Sequence, residues 1–274
     1  MLGIFQTDFD PVEEFLVEPY IDLPLGLGIS KAVIYLWIAA ALTMLVTVFI
    51  VRRGLRVRPG GKQTGVEYVY ELAEQQIARQ GLPEEGMRMW FPYVAALFIF
   101  IWISNLIGFI PLPFGTHHKV DVLGLEIPQF QIYAATANLS VALALTLVTI
   151  AATHFEGVRH HGPIKYLKSW LPAGTPAFAA PLVMTIEVLS QFVRVVSLSF
   201  RLFFNLVAGH LVIAVFLALG ALIGGAAGYA ILPIGVAMGT ALYLLEATLV
   251  AGIQAFIFAS LSAIYIGGAI HPDH

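Results

Sequence analysis

The sequence predicts an all-α membrane protein: about five transmembrane helices plus an interfacial amphipathic helix, with the last two helices long, steeply tilted and paired as a hairpin. Three observations predict it. Only 11% of the 274 residues are charged while 59% are hydrophobic, against roughly 25% charged in a soluble domain. The apolar residues fall into uncharged runs long enough to cross a bilayer, which takes about 20 residues. One stretch near the C-terminus is helical in pattern over far more than a bilayer's thickness.

The runs come in order. Ala32–Val51 is the first, Met89–Thr116 the second and Ile127–Thr153 the third. Leu211–Leu245 and Ala247–Ile270 follow near the end. Between the first two, Val66, Val69, Tyr70, Ala73 and Ile77 recur at helical spacing with Glu67, Glu71, Glu74 and Arg79 between them. Gly65–Gln80 therefore reads as an amphipathic helix, placed at the inner interface, with a solvated cytoplasmic helix as the alternative. Leu182–Ala208 holds neither Gly nor Pro, and its neighbours extend the helical pattern to about 175–222. A helix of that length is roughly 70 Å long in a hydrocarbon layer of about 30 Å, so it must kink or tilt steeply. The whole chain reads as one membrane domain. An acidic external N-terminus (1–30) precedes peripheral helices (31–171) and the tilted hairpin (172–274).

Charge sets the expected topology. Arg52, Arg53, Arg56, Arg58 and Lys62 follow the first run, and Arg159, His160, His161, Lys165 and Lys168 follow the third. The positive-inside rule puts both on the cytoplasmic side. The N-terminus, with Asp8, Asp10, Glu13, Glu14, Glu18 and Asp22 and no basic residue in its first 30, then lies outside. One more hairpin, turning at Gly224, Gly225 and Gly228, leaves the C-terminus inside. The acidic start lacks the basic-then-apolar plan of a cleaved signal, so no signal peptide is expected. With no cysteine, disulfides and thiolate metal sites are excluded. His117–His118 and His160–His161 are adjacent pairs in polar loops and do not by themselves make a metal site. No Walker loop, nucleophile elbow or zinc-protease motif is present, and no cofactor is expected.

The chemistry lies in the long helix. Glu187, Arg194 and Arg201 stand at intervals of seven, each only about 20° from the last, so they share one face with Asn205; Ser190, Gln191 and Ser197 lie nearby. A charge at the bilayer centre costs from about 2.5 to over 10 kcal/mol. Three on one stripe call for a polar partner or a watery cavity, unless they snorkel or pair to fix packing. In the last run Glu246 interrupts the apolar residues and Gln254 follows. On a straight helix Tyr243 and Gln254 share a face and Glu246 lies about 80° round. Ala247, Ala251 and Gly252 permit close helix contact. His210 reaches this region if the two helices pack as a hairpin. It would then form with Glu246 a proton-exchanging pair, or else a hydrogen bond that serves packing alone.

These residues carry a resemblance. Ser197-Leu198-Ser199-Phe200-Arg201-Leu202-Phe203-Phe204-Asn205-Leu206-Val207-Ala208-Gly209-His210 closely resembles the signature of subunit a of F-type ATP synthases. Ile253-Gln254-Ala255-Phe256-Ile257-Phe258 resembles that family's final-helix signature, with Ser104–Pro111 and Gly174-Thr175-Pro176 as weaker matches. The resemblance covers about Val66 to the C-terminus. It implies that Arg201 is the family's essential ion-translocation arginine, Gln254 the glutamine opposite it, and Asn205 the asparagine one turn on. Glu187 matches an acid of the inner half-channel and His210 a position of the outer one. It implies an outer proton path including His210, Glu246 and Asn138, and an inner one including Glu187, Ser190 and Arg194. The implied partners are the c-subunit ring, the b-subunit peripheral stalk, the lipid bilayer and protons, with sodium as the alternative ion, in a bacterial inner membrane; no nucleic acid is implied. Two positions depart from the family pattern. Relatives with His at 210 carry a Glu seven residues before the Gln, where this chain has Ala247, so that Glu246 stands one residue early and a local bulge or side-chain reach would be needed. Phe204 stands where Gly is usual.

Two other readings compete. A secondary transporter binding a solute beside Arg201 predicts discontinuous helices at mid-membrane. A purely structural assembly subunit predicts that the buried charges can be replaced by apolar residues.

Overall fold

A computed structural model describes residues 19–23, 27–52, 60–110, 119–122, 125–128, 133–172 and 174–272. The acidic residues 1–18, the basic segment 53–59 and the pair His117–His118 lie outside the described residues. The chain divides into two units. One comprises Met1–Ala39, Ile103–Asn138 and Phe203–Ile253; the other comprises Ala40–Trp102, Leu139–Leu202 and Gln254–His274.

The protein is an all-α membrane protein, and its described residues include five helices long and apolar enough to span a bilayer. Helix α1 (Lys31–Arg52) is the first span. Helix α2 (Gly61–Glu71) continues through a π-helical segment, Leu72–Ala78, into the short α3 (Arg79–Gly81). This is the expected amphipathic helix. Ala73, Ile77 and Ala78 are buried, Glu67 and Glu71 are exposed, and Arg79 pairs with Glu74 at 2.8 Å. Tyr70, expected on the apolar face, is 56% exposed and meets the Phe91 ring edge-on.

Helix α4 (Glu84–Gly108) is the second span, with Pro92 in its third turn. The third, α5 (Leu139–His161), starts twelve residues later than the apolar run suggested. Ala134 is extended, Ala135–Ala137 form a 3₁₀ turn and Asn138 is extended again. The small apolar residues of this segment satisfy hydropathy equally well outside a helix, and Ala134, Ala135 and Ala137 are buried all the same. His160 and His161 end α5 instead of lying in a loop, and His161 Nε2 donates to the Ile270 carbonyl at 2.9 Å. Short α6 (Pro163–Lys168) follows.

Helix α7 runs unbroken over 44 residues, Ala180–Ile223, about 66 Å at 1.5 Å per residue. It begins later than 175, because Gly174 has φ 85° and Pro176 follows. A helix twice as long as the hydrocarbon is thick must cross at a steep tilt. Its continuity removes the discontinuous helix that a solute transporter would show here. The turn to α8 (Gly225–Leu245) is a single residue, Gly224, and Gly224 and Gly225 take φ of 68° and 60°, where residues with a Cβ are strained. Gly228 lies inside α8 and serves contact instead, since a Cβ there would overlap the Gly220 carbonyl. Helix α8, a π turn at Glu246–Val250 and α9 (Ala251–Ile270) form one helix of 46 residues.

Among the described residues are two short antiparallel strand pairs: β1 (Pro19–Leu23) with β2 (Leu27–Ser30) before the first span, and β3 (Lys119–Val122) with β4 (Leu125–Pro128) between the second and the third. Within the second unit, Gly81 and Gly267 bring α3 and α9 into backbone contact. A Cβ on Gly267 would overlap the Gly81 carbonyl oxygen, and one on Gly81 would come within 2.6 Å of the Ile264 nitrogen.

Candidate functional site

The second unit holds the stripe on α7. Glu187, Gln191 and Arg194 are four and three residues apart, so their side chains lie over one another. Gln191 Nε2 donates to Glu187 Oε1 and Arg194 Nη1 to Gln191 Oε1, each at 3.5 Å. Arg194 Nη2 is 3.8 Å from Glu187 Oε1. The Arg194 guanidinium also sits 5.3 Å from the centre of the Tyr265 ring on α9, a distance at which the ring face attracts a cation. These groups open on a cavity of about 590 Å³, lined also by Tyr166, Trp170 and His271. Burial pushes the Tyr166 phenol above its ordinary value, so it stays a neutral donor at the cavity wall. Ser190, one residue from Gln191, is half-buried and does not line the cavity.

Two turns beyond Arg194, Arg201 is exposed on the protein surface. Among the described residues its guanidinium makes no ion pair or hydrogen bond. Its backbone is held instead: Gln254 Nε2 donates to the Arg201 carbonyl at 2.8 Å, and Gln254 is 2% exposed. One turn to either side of it on α7, Ser197 and Asn205 are exposed, and Val193, Val196 and Phe200 add exposed apolar surface to the same helix. Phe204 is exposed there as well.

The first unit holds His210 and Glu246, 8% and 4% exposed. The Glu246 carboxylate lies directly against Gly209, where a Cβ would overlap Oε1. Neither His210 nitrogen, nor Glu246 Oε1, has a hydrogen-bond partner among the described residues. The two residues are thus brought to adjacent places on facing helices without a direct bond between them. The His210 ring packs edge-on against Phe109, centroids 5.1 Å apart. The Tyr243 hydroxyl donates to the Phe109 carbonyl. Asn138 caps the 3₁₀ turn.

The straight-helix phase expected for Glu246 does not hold. Ala251 N–H bonds to the Glu246 carbonyl, five residues back, so the turn absorbs one extra residue, about 100° of rotation. An acid at 246 thereby takes the angular place that 247 would hold in an uninterrupted helix. This is the local bulge that the one-residue departure called for.

Sequence reasoning missed Asn105, Thr136, Lys31 and Tyr265. Asn105 and Thr136 are fully buried and bonded to each other at 2.7 Å. Lys31 is 2% exposed with its ammonium 4.8 Å over the Tyr133 ring. A lone Asn inside the apolar run 89–116 was the available signal for the first; for Tyr265, nothing in the pattern of the last helix distinguished it.

Among the described residues, five long apolar helices, with ionisable side chains such as Arg194, Arg201, His210 and Glu246 set within the long arms of the last hairpin, define a multi-pass membrane protein of the kind that moves charge across a bilayer. A profile of the ATP synthase A chain family matches residues 33–267. The chain is 36% identical to the ATP synthase subunit a of Rubrobacter xylanophilus over 251 residues, 91% of this chain and 87% of that one. It is 36% identical to the subunit a of Bradyrhizobium diazoefficiens over 274 residues, covering 97% and 99% of the two chains. Against that of Xanthobacter autotrophicus the figure is 34% over 272 residues, with the same coverage. The chain belongs to the ATP synthase A chain family, the ion-transporting membrane subunits of F-type ATP synthases.

Proposed function

We propose that this chain forms two offset aqueous half-channels and uses Arg201 to deprotonate carboxylates on a passing c-subunit ring, coupling ion flow to rotary ATP synthesis. The observation that carries the reading is the placement of Arg201: an exposed cation on an apolar span, its own helix supplying no counter-charge. Leaving such a charge against lipid costs from about 2.5 to over 10 kcal/mol, so a partner with an anion must cover it. Arg suits the task because it stays charged at any working pH.

A carboxylate on the ring is neutral while it faces lipid. Opposite Arg201 its anion is stabilised, and the proton leaves. The same fixed cation keeps protons from passing straight between the half-channels. The cavity beside Glu187, Gln191 and Arg194 supports an exit on the inner side, with Ser190 assigned to that path by the family resemblance. Buried His210 and Glu246, with Asn138, support an entry on the outer side, and Asn205 stands one turn beyond Arg201. Each proton crossing 100 mV releases about 2.3 kcal/mol, which turns the ring. By the positive-inside rule the basic segments favour an N-terminus outside and a C-terminus in the cytoplasm of a bacterial inner membrane. The hairpin 172–274 faces the ring, and the b-subunit stalk holds the chain still. Protons are the favoured ion, with sodium as the alternative set by the ring.

The chain has no cysteine, so a single introduced thiol reports alone. In the assembled complex, cysteines at Val193, Val196 or Ser197 should cross-link to a thiol placed beside the ring carboxylate, and ones at buried Leu198 or Leu202 should not. Absence of cross-links from the exposed set overturns the reading.

A further inference from the structure

The π turn at Glu246–Val250 needs a cause. A helix with bonds five residues apart is rare and less favourable than an α-helix, and such turns persist where the surroundings hold them. The segment Glu246-Ala247-Thr248-Leu249-Val250 has no Gly or Pro to force one. The surroundings supply two grips on the helix, one on each side of the turn, both from the end of α4.

Below the turn, Asn105 Nδ2 donates to the Ala251 carbonyl at 3.2 Å. The Asn105 amide is oriented by Thr136, whose hydroxyl donates to Asn105 Oδ1 at 2.7 Å. With Oδ1 occupied as an acceptor, Nδ2 is the group turned to the helix. Above the turn, the Tyr243 hydroxyl donates to the Phe109 carbonyl. Phe109, Ile213 and Ala251 form a buried apolar cluster with Tyr243 and Ala247 packed on it, so neither grip can slide without exposing apolar surface. Thr136, Asn105 and Ala251 are all fully buried, where an unmade hydrogen bond is expensive.

We propose that Asn105 and Thr136 are positioning residues whose hydrogen-bonded chain to the Ala251 carbonyl holds the π turn, and through it keeps the Glu246 carboxylate against Gly209 beside His210. Asparagine is suited because one amide both accepts from Thr136 and donates to the helix. Leucine at 105 fills the same space but leaves the Thr136 hydroxyl without its acceptor and frees the Ala251 carbonyl. The helix then rewinds to α, and residue 246 turns away by about 100°. Its place passes to residue 247. The proposal rests on the relay role given to Glu246 above.

The test uses the whole ATP synthase complex in liposomes, reading ATP-driven proton uptake, with the 246–250 backbone read by electron cryo-microscopy. Asn105→Leu should lower uptake by about tenfold, as small misplacements of a reacting group do, and should restore four-residue bonding at 246–250. Adding Glu246→Ala with Ala247→Glu to that variant should recover most of the uptake, whereas the same pair beside native Asn105 should lower it. Should Asn105→Leu not assemble, Thr136→Val takes its place, since it removes only the bond that orients the amide. The proposal is overturned if the π turn survives in the variant, or if the shifted acid gives the same uptake with and without Asn105. Glu246→Gln alone separates the two readings: unchanged uptake removes the relay role, while the backbone result still decides what holds the turn.

Discussion

Gln254 reaches across from α9 to donate its amide hydrogen to the backbone carbonyl of Arg201, 2.8 Å away, and leaves the guanidinium untouched. The glutamine thus holds the arginine's main chain while the charged end remains available at the surface.

Replacing Gln254 with Leu should keep the buried volume but remove that bond. A hydrogen bond of this kind contributes about 0.5–1.5 kcal/mol, so ATP synthesis by the reconstituted complex should fall by about two- to tenfold without loss of assembly. A rate equal to the native one would show that Arg201 needs no such support.

Arg201→Ala should abolish proton-driven ATP synthesis in liposomes while ATP hydrolysis by the soluble sector persists. Arg201→Lys should not restore synthesis, because a lysine shorn of water loses its charge more readily. Proton-coupled synthesis by the alanine variant would refute the role.

Glu187→Gln removes the only formal negative charge facing Arg194 in the ladder of Glu187, Gln191 and Arg194. In inverted vesicles the proton flux should slow severalfold. Its dependence on pH at the C-terminal side should flatten, while its response to pH at the opposite side is unchanged. Equal changes on both sides would place Glu187 off the inner path.

Gly209→Ala should displace the Glu246 carboxylate, since its Cβ would overlap Oε1. Overpacking of this kind costs about 1–3 kcal/mol. Because both changes disturb one group, Gly209→Ala combined with Glu246→Ala should be no worse in proton uptake than Glu246→Ala alone. Additive losses would indicate a separate function for the glycine.

Gly267→Ala should lower the thermal stability of the purified complex, because the added methyl meets the Gly81 carbonyl. Gly268→Ala, with nothing within 4 Å of its would-be Cβ, should be neutral or slightly stabilising, as Ala is the better helix former. Equal melting temperatures for the two variants would remove the backbone contact from the account of packing.

The spans were legible because hydropathy over twenty residues is a strong signal and charge between them is sparse. The stripe of Glu187, Arg194 and Arg201 was legible for the same reason that it is costly: charges are rare in apolar helices. Boundaries were less so. Tyr133–Asn138 is small and apolar, and nothing in its hydropathy separates a 3₁₀ turn from the start of α5. The π turn was beyond pattern reading, because its cause lies in Asn105 and Thr136, more than a hundred residues away in sequence. Only the one-residue offset of Glu246 from the family pattern hinted at it. Glu246 and His210 were expected as a pair, and the packing brings the acid to Gly209, one residue short of the ring.

The single-residue turn at Gly224 has a consequence for biogenesis. With no polar loop between Ile223 and Gly225, the two arms cannot be threaded across the bilayer one after the other around a hydrophilic stop. They must enter the lipid together, as a preformed pin. The arginine and glutamate on the long arms would then enter the hydrocarbon beside the apolar bulk of both segments, and a mutation that opens the pin should lower the amount of inserted chain.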